Sequence, residues 1–179
     1  MRLFFAINFN NETRMRLFAL RNELCRQSEH GNFSLPENLH LTLAFLGECS
    51  NEQIAAAKSV LSAIVFEPFE IVVDRIGRFK RGDRGNRRAG DIWWSGLSDC
   101  KPLTALQHGL SEKLAVFGFS LDSKRYSPHI TLGREVVTDV KPWTIEPFGE
   151  TVSRIDLMKS ERVGGRLTYS PVSTVSSLH

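Results

Sequence analysis

Two short stretches of this 179-residue chain repeat one pattern: His40-Leu41-Thr42-Leu43 and His129-Ile130-Thr131-Leu132, half the chain length apart. In a β-strand, residues i and i+2 share a face. Each stretch therefore presents an imidazole and a hydroxyl on one side and two aliphatic side chains on the other. If the aliphatic sides pack into a core, the polar sides are left to line a cleft. Two imidazoles and two hydroxyls facing each other suit in-line displacement at phosphorus, which needs a proton removed from the nucleophile and one delivered to the leaving group. Histidine, with an unperturbed pKa of about 6.5, does either near neutral pH. Threonine hydroxyls can donate to non-bridging phosphate oxygens, and an arginine complements their charge. Arg134 lies five residues beyond His129. An ideal strand turns it to the opposite face, so its participation requires a bend, which Gly133 can supply.

A lone histidine on an alternating strand is by default a structural residue. The repeat changes that balance: with 5 His in the chain and its content of Thr and Leu, two such matches by chance are roughly a one-in-3,000 event. His30, His108 and His179 have no Thr partner and receive no role.

The elements that must position these residues are legible as patterns. Arg2 to Phe9 reads as a strand. Asn10 or Asn11 can cap a helix over residues 12 to 28, where Met15, Phe18, Ala19 and Leu24 recur at helical spacing. Leu39 to Leu46 is a strand ended by Gly47. Ser50 caps a helix running to Val65, with Gln53 placed for a capping box. Further strands are expected at Phe69 to Phe79, Asp91 to Leu97, His129 to Val136, 151 to 160 and 166 to 175, the last two joined by a turn at Gly164-Gly165. Pro102 to Phe117 is helical. Trp93 and Trp94 are adjacent in a strand and so face opposite ways, one toward the core. Strands and helices in this order give an α+β fold with largely antiparallel sheets. The repeated motif suggests a duplicated lobe, hence one domain over residues 1–179 made of two lobes, each with one His-x-Thr strand.

Composition narrows the class further. Hydrophobic content is 41% and charged content 24%, ordinary for a folded domain. Three cysteines, Cys25, Cys49 and Cys100, stand far apart, which argues against a disulfide scaffold or a zinc site and for small buried hydrophobes. The first ten residues lack a signal-peptide pattern, and no run approaches the ~20 apolar residues of a membrane span. The expectation is a soluble, cytoplasmic monomer. Net charge is only +3, but Arg75, Arg78, Lys80, Arg81, Arg84, Arg87 and Arg88 crowd one stretch interrupted only by Asp83, a candidate footprint for a polyanion.

The flanks of the two motifs carry a resemblance. Phe4-Phe5-Ala6-Ile7, Asn38-Leu39-His40-Leu41-Thr42-Leu43-Ala44-Phe45-Leu46-Gly47, Pro128-His129-Ile130-Thr131-Leu132 and the closing Arg166-Leu167-Thr168-Tyr169-Ser170-Pro171 resemble the 2H phosphoesterase superfamily, defined by two His-x-Thr/Ser motifs. Within it they are similar to the LigT-like RNA 2′,3′-cyclic phosphodiesterases of bacteria and archaea, once named 2′-5′ RNA ligases. The likeness spans essentially the whole chain. It implies a bilobal α+β fold, with two pseudo-symmetric, mainly antiparallel sheets and outer helices around a central cleft. It also implies hydrolysis of RNA 2′,3′-cyclic phosphate ends, tRNA fragments among them, to a 2′-phosphate, without metal or cofactor, and a weak reverse 2′-5′ ligation. By the same resemblance His40 is the general acid, His129 the general base, Thr42, Thr131 and Arg134 hold the phosphate, and Phe45 stacks the terminal base. The Arg-rich insertion at 80 to 90 is not part of the family pattern.

Other readings stay open at this point. A non-catalytic RNA-end binder would keep the fold but has no need of an intact histidine pair. A 2H enzyme acting on a 2′-5′ oligonucleotide, an ADP-ribose cyclic phosphate or a cyclic nucleotide would use the same two histidines. Metal-dependent hydrolysis lacks a carboxylate beside either motif. If the arginine cluster grips RNA, neutralising Arg84, Arg87 and Arg88 together will weaken polynucleotide binding and flatten its salt dependence, with turnover of a cyclic mononucleotide unaffected; equal losses on both substrates would exclude that role.

Overall fold

The computed structural model describes residues 1–81, 90–121 and 125–178. In chain order the elements are β1 (Arg2–Asn8), α1 (Asn11–Arg26), β2 (Ser28–Phe33), a 3₁₀ turn (Pro36–Asn38), β3 (His40–Glu48), α2 (Asn51–Ser62), β4 (Phe69–Phe79), β5 (Asp91–Leu97), α3 (Lys101–Val116), β6 (His129–Thr138), β7 (Trp143–Val152), β8 (Arg154–Val163) and β9 (Arg166–Ser176). Local chemistry accounts for most of the boundaries. The Asn10 side chain accepts from the Thr13 N–H and starts α1, and Ser50 with Gln53 forms the expected capping box on α2. Gly164 and Gly165 both adopt positive φ, as the tight turn between β8 and β9 requires.

The strands form two antiparallel sheets, one ordered β3-β1-β8-β9 and the other β2-β6-β5-β4-β7. His40 thus sits in the four-stranded sheet and His129 in the five-stranded one. The α+β expectation holds, but three details differ. Helices α1 and α2 end at Arg26 and Ser62, before the expected residues 28 and 65. Two strands, β2 and β7, have no signal in the sequence. Both are edge strands of the five-stranded sheet, where one open side tolerates the glycine and polar residues of SEHGNF and the Pro147 of WTIEPFGETV. Finally, the chain halves are not the lobes. β8 and β9, late in the chain, complete the sheet of His40. β2, from the first half, joins the sheet of His129, and α1 packs against that same sheet.

This interleaving gives one main core with contributions from both sheets, including Leu3, Phe5 and Ile7 of β1, Leu41 and Leu43 of β3, Trp93 of β5, and Ile130 and Leu132 of β6. The alternation in β1 explains its run of five buried residues. Leu3, Phe5 and Ile7 face the core, while Phe4 and Ala6 form, with Met158, a small second cluster on the opposite face. α3 touches both β3 and β4 and so bridges the two sheets. Trp93 is fully buried, its ring 6.1 Å from that of Trp143, and Trp94 faces the other way, as adjacent strand positions must. Truncating Trp93 to Ala removes the largest fully buried side chain, and urea denaturation is expected to show a loss of about 3–5 kcal/mol.

Candidate active site

The site starts with one backbone device used twice. His40 Nδ1 lies 2.7 Å from the Asn38 carbonyl, and His129 Nδ1 lies 2.7 Å from the Ser127 carbonyl. A carbonyl oxygen only accepts, so Nδ1 carries the proton in both rings and Nε2 is left to do chemistry. In each case the acceptor is the residue two before the histidine, at the entry to its strand. Asn38 closes the 3₁₀ turn that Pro36 begins, and Ser127 precedes Pro128. His40 Nε2 contacts Thr42 Oγ1 at 3.0 Å, the i to i+2 pairing expected of a strand face.

A second device repeats as well. Along the pair of β1 with β3, Ala6 faces Thr42 and Phe5 faces Ala44, so Leu43 is an extra residue. Along β5 with β6, Trp94 faces Thr131 and Trp93 faces Gly133, so Leu132 is extra. Each is a β-bulge directly after the His-x-Thr motif, and a bulge shifts the alternation by one. Residues five beyond each histidine, Phe45 and Arg134, are thereby returned to the histidine's own face. Phe45 stands opposite Phe4 on that face and is 50% exposed. Gly133 is needed because a Cβ there would come within 2.8 Å of Val136 Cγ2. The bend that Arg134 required is thus a bulge at Leu132 beside that glycine.

The two histidine strands, β3 and β6, are in contact. The free edge of β3 is tied down at its bulge: the Tyr126 hydroxyl donates to the Thr42 carbonyl at 3.0 Å, and Gln107 Nε2 donates to the Leu43 carbonyl at 3.3 Å. Tyr126 adjoins Ser127, so the segment that orients His129 also holds the strand of His40. Aromatic rings wall each imidazole. Phe4 and Tyr169 lie 4.9 and 5.1 Å from the His40 ring; Phe79 and Trp94 lie 5.0 and 6.3 Å from that of His129.

Both imidazoles are held below their ordinary pKa of 6.5. Burial is the main cause, the carbonyl bond at Nδ1 partly offsets it, and the Arg134 charge lowers both further. His40 also responds to charge on His129. One guanidinium therefore acts on both rings. Burial likewise raises the hydroxyl of Tyr126 and, more weakly opposed by Arg134, that of Tyr169.

Of the residues expected from sequence, His40, His129 and Arg134 lie near enough for their charges to interact, Thr42 contacts His40, and strand register puts Phe45 on the face of His40 and Thr131 on that of His129. Arg84, Arg87 and Arg88 lie outside the described residues. Within the rest of that basic run, Arg75 is paired with Asp74 at 2.7 Å and Arg78 with Asp91 at 3.3 Å, so part of its charge is locally neutralised. Phe4 and Tyr169 stood in segments that carried the resemblance but without a role, and Phe79 and Tyr126 were not picked out by sequence. All four sit at no fixed spacing from either motif, and only the fold brings them against the histidines and their strands.

Known proteins resemble this chain over most of its length. A family model described as LigT like Phosphoesterase matches residues 7–87. The RNA 2′,3′-cyclic phosphodiesterase of Archaeoglobus fulgidus is 35% identical over 156 residues, covering 84% of this chain and 85% of its own length. That of Escherichia coli K12 is 32% identical over 176 residues, covering 96% of this chain and 93% of its own. Among solved structures, apo LigT of Escherichia coli matches with a TM-score of 0.81 at 28% identity, over 99% of this chain and 98% of that one. The same protein complexed with 3′-AMP matches with a TM-score of 0.80 at 30% identity and the same coverage. This chain belongs to the LigT-like phosphoesterase family of two-histidine enzymes.

The shared influence of Arg134 gives a direct test. NMR titration of Arg134→Met is expected to move the midpoints of both His40 and His129 upward, since a repelling charge is removed from each. Movement of only one would show that the guanidinium does not sit between them. The same depression makes the fold less stable as pH falls below 6.5, because the unfolded chain then takes up protons that the folded rings resist.

Proposed function

We propose that this protein hydrolyses 2′,3′-cyclic phosphate ends of RNA to 2′-phosphates, with His129 as general base and His40 as general acid. The observation that carries the reading is the matched pair of Nδ1–carbonyl bonds, which assigns each Nε2 to the chemistry, that of His40 beside the Thr42 hydroxyl, with the Arg134 charge acting on both rings. Water enters on the His129 side and gives its proton to His129 Nε2 as it attacks phosphorus. The bond to O3′ breaks, and O3′ takes the proton from His40 Nε2. Thr42, Thr131 and Arg134 bind the non-bridging oxygens, whose charge grows in the transition state. Phe45, half exposed at the rim, stacks the terminal base, worth about 1–3 kcal/mol. The division of roles fits the surroundings: the Nδ1 bond of His129 is exposed, that of His40 is partly buried, and the more open ring is the one suited to admit water. The names of the relatives, RNA 2′,3′-cyclic phosphodiesterase, agree with this substrate.

One proton must reside on the pair for acid and base to coexist. With both rings below 6.5, the free protein near neutral pH holds them largely neutral. A bound anionic phosphate offsets Arg134 and favours proton uptake on binding. kcat/KM is therefore expected to fall about tenfold per pH unit above neutrality. The decisive experiment incubates the protein, in EDTA, with a short RNA ending in a 2′,3′-cyclic phosphate and identifies the product. A 2′-phosphate is expected, and His40→Ala and His129→Ala each lower turnover by about 10²–10⁴ with the fold intact. A 3′-phosphate would reverse the acid and base roles, and undiminished activity in both variants would end the mechanism.

A further inference from the structure

Arg134, whose charge acts on both imidazoles, is bracketed by two irregularities of β6. The first is the bulge at Leu132. The second is at Glu135. Along β5 with β6, Trp93 faces Gly133 and Asp91 faces Val136, so Ile92 stands against both Arg134 and Glu135. Along β2 with β6, Asn32 faces Arg134 and His30 faces Val137, so Gly31 stands against both Glu135 and Val136. Glu135 is the residue in excess on either side. Its φ is 54°, and among the described residues it is the only non-glycine with positive φ. Gly90 packs so close that a Cβ there would come within 2.1 Å of the Glu135 carbonyl carbon. The two bulges offset each other: the first brings Arg134 to the face of His129, and the second returns Val136 to the core.

A left-handed residue inside a strand is ordinarily glycine, which takes that conformation without a steric penalty. A glutamate there needs a reason, and its side chain gives one. Asn32 Nδ2 donates to Glu135 Oε2 at 2.6 Å. The bond joins the residue opposite Arg134 to the residue after it, and a bond to a carboxylate is among the stronger kinds. Among the described residues Arg134 has no ion-pair or hydrogen-bond partner, although a carboxylate is its immediate neighbour in the chain. Elsewhere the same juxtaposition ends differently. Asp74 and Arg75 are adjacent at an irregularity of β4, and their side chains pair at 2.7 Å. Arg75 is thus neutralised by its neighbour, and Arg134 is not.

We propose that Asn32 and Glu135 are positioning residues: their amide–carboxylate bond holds the carboxylate away from Arg134 and leaves the guanidinium to the substrate phosphate. This deepens the proposed reaction and rests on it for the part Arg134 plays in binding phosphate. Neither residue touches the reacting atoms. The left-handed backbone at Glu135 turns its side chain toward β2, and Asn32 fastens it there. The edge strand β2, which carries no strand signal of its own, thereby serves the site through one side chain. Without the amide, the carboxylate is one residue away from an unpaired guanidinium. Pairing within the chain then competes with the substrate at a high effective concentration.

The test is a rescue. Asn32→Ala releases the carboxylate, and kcat/KM for 2′,3′-cyclic AMP is expected to fall about tenfold, the scale of one charged contact. In the free variant the NMR titration midpoints of His40 and His129 both move upward, in the same direction as in Arg134→Met, because a paired guanidinium repels their protons less. Adding Glu135→Gln to Asn32→Ala leaves an amide that cannot neutralise the guanidinium. This double variant is expected to bring both midpoints back and to recover most of kcat/KM. Midpoints unmoved in Asn32→Ala would overturn the proposal. So would a double variant no better than Asn32→Ala, which marks the pair as a brace between strands. The titration needs no turnover, so a wild-type protein that leaves the cyclic phosphate intact would strike at the assignment of function, while the midpoints still decide for or against the clasp.

Discussion

The chemistry of this protein depends on which nitrogen of each histidine is free, and a single hydrogen bond per ring decides it. Asn38 and Ser127 each offer a main-chain carbonyl to the Nδ1 of the histidine two residues on. The choice is made by backbone and so does not depend on an ionisable partner. A carboxylate in that place would raise the imidazole pKa; a neutral carbonyl offsets burial only in part, and both rings remain below 6.5. Under the proposed reaction the pair shares one proton, and a bound phosphate anion would supply the favourable charge that the free site lacks.

Around that device the strands are bent in a repeated way. A bulge after each His-x-Thr motif brings the residue at position five back to the cleft, and the two lobes use it differently: Phe45 on one side, Arg134 on the other. The same backbone geometry puts an aromatic ring at that position in one sheet and a guanidinium in the other. The asymmetry extends deeper, with Asn8 and Asp156 packed under one motif and Gly96 and Gly77 under the other. A site assembled from two similar lobes can treat the two sides of a phosphorus atom differently because the residues beneath the motifs need not match.

The lobes are held in register by interleaving the chain. β8 and β9 return to the sheet of His40, β2 goes to that of His129, and α3 spans both. Tyr126 couples the two motifs most directly, reaching from the segment that orients His129 to the main chain of Thr42. With the core continuous across both sheets, the separation of the imidazoles is a property of the whole packing, which is why it cannot be read from either half alone.

The sequence by itself determined the motifs, the faces they present and most of the elements that carry them. Period-two alternation, the capping box at Ser50 and the Gly164-Gly165 turn are local, and local physics suffices for them. It left out β2 and β7, because an edge strand gains its stability from the neighbour it pairs with and needs no alternation of its own. It left out the bulges at Leu43 and Leu132, because an extruded residue is defined only by a partner strand. For the same reason Phe4, Phe79, Tyr126 and Tyr169 joined the site only once the sheets were packed. That the halves of the chain are not the lobes was also settled at that stage, since strand pairing follows the burial of complementary faces and not the order in which the residues occur.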